Sequence, residues 1–357
     1  MRIMKQMACA ALAAACVIGF PGCGKDKDKS SSSSDSSKGY SAPKVAEGAI
    51  AAIAVRRVED TSLASLCKQY GLEMGELLKN APGGSKSEQD LIKELELDKA
   101  KIEWIAVTVD AVSAEKAEKG EPDFGVAIAS SLDLDKVVAV VEKKNKGKNE
   151  IKKETIANVP AYVVIKDEKP EAFLANLDKQ LILVARTSAG LEKLVALYRD
   201  GKGASADFGS FALGANDILH VKAVKVGENL KTAGVLPMAG AMVGQSIPDG
   251  DKIVAGLGTA EIALGASDDG KDIKLNVSVE TATDADAENI RKTVKEMLEP
   301  FAEMMKTGAE KDPDAKLLSD ILASVKVAGE GKTAALSASV AADPALKALG
   351  DKAKELK

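Results

Sequence analysis

The segment IKLNVSVE, residues 273–280, is apolar at every second position and mostly polar between. A β-strand sends successive side chains to opposite faces, so this alternation predicts a strand with one buried face and one wet face. A second strand-like run, LGTAEIALGAS, precedes it, and only DDGKD separates the two. After them Thr283 and Asp286 have the spacing of a capping box, and Ile290, Val294, Met297, Leu298 and Phe301 fall on one helical face. Pro300 is expected to kink or split that helix, because proline removes a backbone donor. This strand–turn–strand–helix unit constrains the fold more than any other feature. Two strands joined by a tight turn must pair antiparallel, and the helix must bury its apolar face on the sheet they make.

The unit recurs. KIEWIAVTVDAV and FGVAIASSL read as strands, followed by a helix that starts at Asp133 and carries Leu134, Val137, Val138 and Val141 on one side. A looser copy spans 156–199, with IANVPAYVVIK, KQLILVART, and a helix bearing Leu191, Leu194, Val195 and Tyr198. Another reads ILASVKVAG, EGK, TAALSASVAA, then a helix from Pro344. AIAAIAVRRV and DILHVKAVKV each lead a series, and each is followed by a helical stretch, 61–79 and 228–243. The fold expected is α+β: two tandem halves, 46–200 and 210–357, joined at GKGASADFGS, with antiparallel sheets and helices on one face.

The N-terminus has a different character. Arg2 and Lys5 precede an apolar run from Met7 to Phe20, the layout of a secretory signal peptide over 1–22. That run is shorter than the ~20 apolar residues a spanning helix needs. Its end, FPGC, resembles the bacterial lipobox through Gly22 and Cys23. The resemblance implies that Cys23 becomes the mature N-terminus and carries lipid, including palmitate-type acyl chains. It also implies outer-membrane rather than inner-membrane sorting, since Gly24 and not Asp follows the cysteine. An ordinary cleaved signal with an incidental Cys23 is the alternative. The tract that follows, almost all Gly, Lys, Asp and Ser, is too polar to bury surface, so 23–45 is expected to be a lipidated and disordered tether. Its 19 residues from Gly24 to Ala42 have a root-mean-square reach of about 24 Å and a limit of ~65 Å.

Composition narrows the function. Cys9 and Cys16 lie in the signal and Cys23 at its end, so Cys67 alone remains and no internal disulfide can form. The formal charge of −5 becomes −7 once Arg2 and Lys5 are removed. Six arginines, 3% aromatic residues and one Trp argue against nucleic-acid binding, which favours a basic face with stacking rings.

The chemical motifs are weak. Ser65 and Lys68 have Ser-x-x-Lys spacing, and Lys306-Thr307-Gly308 resembles the last motif of penicillin-binding proteins and serine β-lactamases. No Ser-x-Asn lies between them, and the latter motif falls on a helix instead of a strand. His220, the only histidine, has no ligand-spaced Glu or Cys and reads as structural. Gly256, Gly258 and Gly265 resemble half a dinucleotide fingerprint, but a strand follows them where a helix is needed. Aspartate groups at 133/135, 268/269/272, 284/286 and 312/314 read as turns and caps.

The most unusual stretch is TAGVLPMAGAMVGQSIP, residues 232–248, which has no charge, many small residues, two Met and two Pro. It reads either as a buried helix in a tight layer or as a lid or groove for a lipid or partner helix. These features favour a non-enzymatic envelope lipoprotein, facing the periplasm and held to the membrane by its lipid, that binds a partner or has a structural role. No cofactor or metal is expected. One alternative is a carrier of an apolar ligand such as lipid, using Leu236, Met238, Met242, Val243, Met297, Met304 and Met305. The other is a hydrolase using Ser65 and Lys68.

Overall fold

The computed structural model describes residues 42–70, 72, 102–110, 123–145, 150–209, 211–308 and 313–355. Among these, twelve strands form one antiparallel sheet. They are β1 (Ala49–Val55), β2 (Ile102–Asp110), β3 (Phe124–Ser130), β4 (Glu150–Ile156), β5 (Val159–Lys166), β6 (Lys169–Leu177), β7 (Leu181–Ala185), β8 (Asp217–Ala223), β9 (Ala260–Ala266), β10 (Asp272–Glu280), β11 (Lys326–Ala328) and β12 (Thr333–Ala341). Their spatial order is β11-β12-β10-β9-β8-β1-β2-β3-β7-β6-β5-β4. The fold is mixed α+β. Both series of strands join a single sheet instead of making separate ones, because the two leading strands, β1 and β8, pair with each other, Ile53 opposite Val221.

The described helices are α1 (Ala64–Tyr70), α2 (Leu134–Asn145), α3 (Ser188–Val195), α4 (Val226–Thr232), α5 (Leu236–Gly244), α6 (Gly250–Ala255), α7 (Asp284–Gly308), α8 (Pro313–Ser324) and α9 (Ala342–Glu355). They do not keep to one face of the sheet. Leu191, Leu194 and Val195 of α3 pack with Ala127, Leu183 and Ala175. Leu134 and Val138 of α2 pack with Ile128 and Ile182. Residues 127 and 128, like 182 and 183, are neighbours in a strand and point to opposite faces, so the two helices lie on opposite sides.

One face changes character along its length. Cross-strand partners share a face, which gives the row Ala161, Ala175, Leu183, Ala127, Ala106, Ala54, His220, Ala263, Asn276, Ser337. From Ala161 to Ala54 the row is buried in the core that contains α3, Trp104, Tyr198 and Phe208. Beyond His220 it becomes polar, and Asn276 and Lys274 are exposed. On the opposite face near the other edge, Leu63 and, in α1, Cys67 pack with Ala342 and Leu346 of α9, beside Ile273 and Ala266.

Several local expectations are corrected. Ile321, Leu322, Ala323 and Ser324 end α8 instead of beginning a strand, so β11 is three residues long. α7 runs through Pro300 without dividing. The run KPEAFLANL is a strand, β6, that alternation missed because proline marks it as a breaker; Pro170 sits beside a register shift between Val164 and Ile165 of β5. The meander β4–β7 turns three times on two residues with positive φ: Ala157–Asn158, Asp167–Glu168 and Asp178–Lys179. None contains glycine, so the strongest hairpin signal was missing. Within 201–210, Ala204 bridges Ala46 and Phe208 is buried, which fastens the described part of this segment to the core.

Candidate functional site

The uncharged 232–248 stretch is neither one buried helix nor a loop. α4, α5 and α6 form a compact insert between β8 and β9. Gly234, at φ 72°, lets the chain reverse after α4, and Pro237 lies in the first turn of α5, where its missing N–H costs no helical bond. Glycine sets how closely the helices approach. A Cβ on Gly227 would lie 2.2 Å from the Ala255 carbonyl oxygen, and one on Gly250 would lie 2.4 Å from the Gly244 nitrogen. Backbone therefore rests on backbone at both ends of α6, and within the uncharged stretch a Cβ on Gly240 would lie 2.9 Å from the Asp251 Cα.

This close packing leaves one face of α5 uncovered. Pro237, Met238, Ala241 and Met242 share it at i, i+1, i+4 and i+5, and all four are exposed. Met238 is 58% and Met242 66% exposed, large values for apolar side chains. Leu236 and Val243 are half-buried and belong to the inner side.

A second apolar strip lies on α7. The capping expected at Thr283 is formed, with its Oγ1 accepting from the Asp286 N–H at 3.2 Å. Arg291 fixes the helix to the sheet by donating to the Thr333 carbonyl at 2.5 Å, and it also pairs with Glu288 at 2.7 Å. Farther along, Met297, Phe301 and Met304, at i, i+4 and i+7, are 47–55% exposed. Met305 is half-buried. Of the eight exposed large hydrophobic side chains among the described residues, five belong to α5 and α7, so this is a concentration, not ordinary scatter. The insert and α7 are joined where Asn289 Nδ2 donates to the Pro248 carbonyl at 3.0 Å. Sequence periodicity locates the α7 stripe, and Met297, Met304 and Met305 are candidates for an apolar ligand, but Phe301, Pro237 and Ala241 are not among the candidates.

The remaining candidates are engaged in local structure. His220 Nδ1 lies 2.9 Å from the Ala212 carbonyl oxygen and Nε2 lies 2.7 Å from Glu261 Oε1. A carbonyl only accepts, so Nδ1 carries a proton, and the ring is held between two acceptors while Phe211 stacks on it at 4.7 Å. Glu261 comes from β9, which no local pattern around His220 could reveal. Ser65 and Lys68 are exposed on α1, whereas Lys306, near the end of α7, pairs with Glu303 at 2.6 Å.

The aspartates close turns. Asp268 Oδ1 accepts from Asn216 Nδ2 at 3.0 Å. Asp269 accepts from the Ser267 hydroxyl at 2.7 Å, and this bond, with those from the Lys271 side chain and backbone, holds its carboxyl at about 2. Asp133 Oδ1 accepts from the Asp135 N–H at 2.9 Å, as a helix cap. Gly256 and Gly258 lead into strand β9 and Gly265 lies within it, as expected. Cys67 is a buried thiol in α1. Cys23, its tether and Asp312 lie outside the described residues. Among the described residues no group of three or more His, Cys, Asp or Glu side chains is placed to hold a metal, and no helix is long and apolar enough to cross a membrane.

Compared with known protein families, with characterised proteins and with solved structures, the chain shows no match.

Proposed function

We propose that this chain is a lipid-anchored bacterial envelope protein that acts by binding through an apolar surface and not by catalysis. The observation that carries this reading is the pair of uncovered apolar helix faces: Met238 and Met242 on α5, and Met297, Phe301 and Met304 on α7. Exposed apolar area of this kind costs solubility and is kept where something covers it. Methionine suits such a role because its unbranched, polarisable side chain adapts to irregular partners. Cys23, through its lipobox-like setting, supplies the anchor, and the tether holds the folded part near the membrane surface.

The architecture in this reading comes from two tandem halves. Outward from the central β1–β8 pair, the strand orders are β1-β2-β3-β7-β6-β5-β4 and β8-β9-β10-β12-β11, so the first five positions correspond and β5 and β4 extend one side only. In both, a helix follows the third strand, α2 after β3 and α7 after β10. A duplicated ancestor accounts for this match in order. The envelope placement, outer rather than inner membrane, follows from Gly24 in the same way.

An environment-sensitive apolar dye, N-phenyl-1-naphthylamine, tests the surface. The protein should bind it saturably, and a Phe301→Ser, Met304→Ser chain should bind at least tenfold more weakly with an unchanged circular dichroism spectrum. Absence of saturable binding, or binding indifferent to these changes, refutes the reading. Labelled palmitate should enter the wild-type chain and not a Cys23→Ala chain.

A further inference from the structure

We propose that the exposed face of α5 seats on the lipid bilayer to which the chain is tethered. This rests on the anchored-protein reading above and names the partner of one of its two apolar faces.

The first support is chemical. Between Lys231 and Asp249 the chain carries no charge, and the outer side of α5 presents Pro237, Met238, Ala241 and Met242. A helix with such a face lies along a membrane interface and buries its apolar side among headgroups and acyl chains. Lys231 is exposed just before this uncharged stretch, suitably charged to meet lipid phosphate.

The second support is positional. Sheet register fixes which end of the molecule each element occupies. Ala51 lies opposite Ala223, Ala223 opposite Ala260, Ala260 opposite Val279, and Val279 opposite Ala334. The described chain enters β1 from that end. The α4–α6 insert connects Ala223 to Ala260, so it is rooted at the same end. The described chain, pinned at Lys44 to Tyr198 and at Ala46 to Ala204, turns just before Ala49, so a tether from Cys23 joins the folded part a few residues from the end where α5 is displayed. β1 and β9 are two strand spacings apart, about 10 Å. A flexible chain of the 19 residues from Gly24 to Ala42 is expected to reach about 24 Å in root-mean-square terms, more than this separation.

The third support is mechanical. Backbone contacts at Gly240 and Gly250 hold α5 against α6, so its apolar face is presented without first being ordered. A single acyl chain or one small apolar face binds a membrane only marginally, whereas two signals together make the attachment stable. The face alone binds vesicles reversibly at high lipid concentration, and the tether, by raising the local concentration of α5 at the bilayer, makes that binding persistent.

The test uses the mature chain from residue 23 with Cys23→Ser, which cannot be acylated, and vesicles of equal parts phosphatidylethanolamine and phosphatidylglycerol. The chain should float with these vesicles. Met238→Ser with Met242→Ser should weaken flotation at least tenfold while leaving the circular dichroism spectrum unchanged. A Met242→Trp chain gives a second readout, because the single native Trp104 is buried. Its emission should shift to the blue when vesicles are added. No flotation and no shift overturn the proposal. If dye binding at Phe301 and Met304 persists in that case, the apolar-binding reading survives; if it is also missing, both fall. A concentration-dependent dimer that the double serine change dissolves, with no vesicle binding, would make a second copy the occupant and overturn the proposal as well.

Discussion

Two glycines six residues apart in the insert should respond in opposite directions to the same substitution. A Cβ on Gly250 would lie 2.4 Å from the Gly244 nitrogen, 2.7 Å from the Gly244 Cα and 2.7 Å from the Val243 carbonyl carbon. Carbon atoms rest at about 3.5–4.0 Å, so α5 and α6 must part by roughly 1 Å. The atoms in the way are backbone, so no rotamer change relieves the clash. Overpacking of this kind costs about 1–3 kcal/mol. The helical preference of Ala over Gly returns at most ~1 kcal/mol. Gly250→Ala should therefore destabilise the insert by about 1–2 kcal/mol. Gly244, the last residue of α5, has nothing within 4 Å of its Cβ position. Gly244→Ala should keep only the helical gain, up to ~1 kcal/mol. Hydrogen–deuterium exchange of 226–255 reads this locally, since 1.4 kcal/mol is a tenfold change in opening equilibrium. Exchange should quicken about five- to thirty-fold in the first variant and slow up to about fivefold in the second. Equal protection in both, or a shift in the same direction, would refute backbone contact as the origin of the insert's geometry.

Other regions yield further expectations. Glu168 holds φ 63° in the β5–β6 turn, a left-handed conformation that costs a side-chain-bearing residue about 1–2 kcal/mol. Glu168→Gly should stabilise the protein by a few tenths to 1 kcal/mol after the greater freedom of glycine in the unfolded chain is subtracted, measured as a higher denaturant midpoint. The Tyr198 hydroxyl accepts from the Lys44 N–H at 2.9 Å and donates to the Lys44 carbonyl at 3.3 Å. Tyr198→Phe removes both hydrogen bonds to the part-buried Lys44 backbone and should cost about 1 kcal/mol near neutral pH. Burial pushes the Tyr198 phenol above its ordinary value of 10.0. A raised folded value means that this contribution is complete below pH 10 and declines as pH rises toward the folded value. Denaturant titrations at pH 8 and pH 11 should therefore show a smaller gap between wild type and Tyr198→Phe at the higher pH; a gap that does not narrow contradicts the assignment.

Much of the local structure was legible. Alternation marked β2, β3, β8, β9, β10 and β12, and a 3.6-residue period marked α2, α3 and α7, because both patterns record which side of a short segment meets the core. The capping at Thr283 was legible for a similar reason: its partner is three residues away. Features that depend on distant segments were not. β6 escaped because Pro170 suggests a break, while the flanking strands accommodate it at an irregular register. The partner of His220 could not be read from residues near 220, because Glu261 is 41 residues away along the chain.

The division between sequence and tertiary structure is clearest on the two apolar strips. The sequence by itself determined that 232–248 is uncharged and that Met297, Phe301 and Met304 share a helical face. It also determined that β-hairpins and helices would be the building material, since hydrophobic period is a local property. Only the tertiary structure decided that β1 meets β8 and makes one sheet of the two series. It likewise decided that one sheet face is buried as far as β1, in the core that contains α3 and Phe208, and becomes polar beyond β8, and that both apolar strips remain uncovered. A period records that a face is apolar; whether another element arrives to cover it depends on long-range register and on backbone contacts such as Gly250 against Gly244, which no short window of sequence contains.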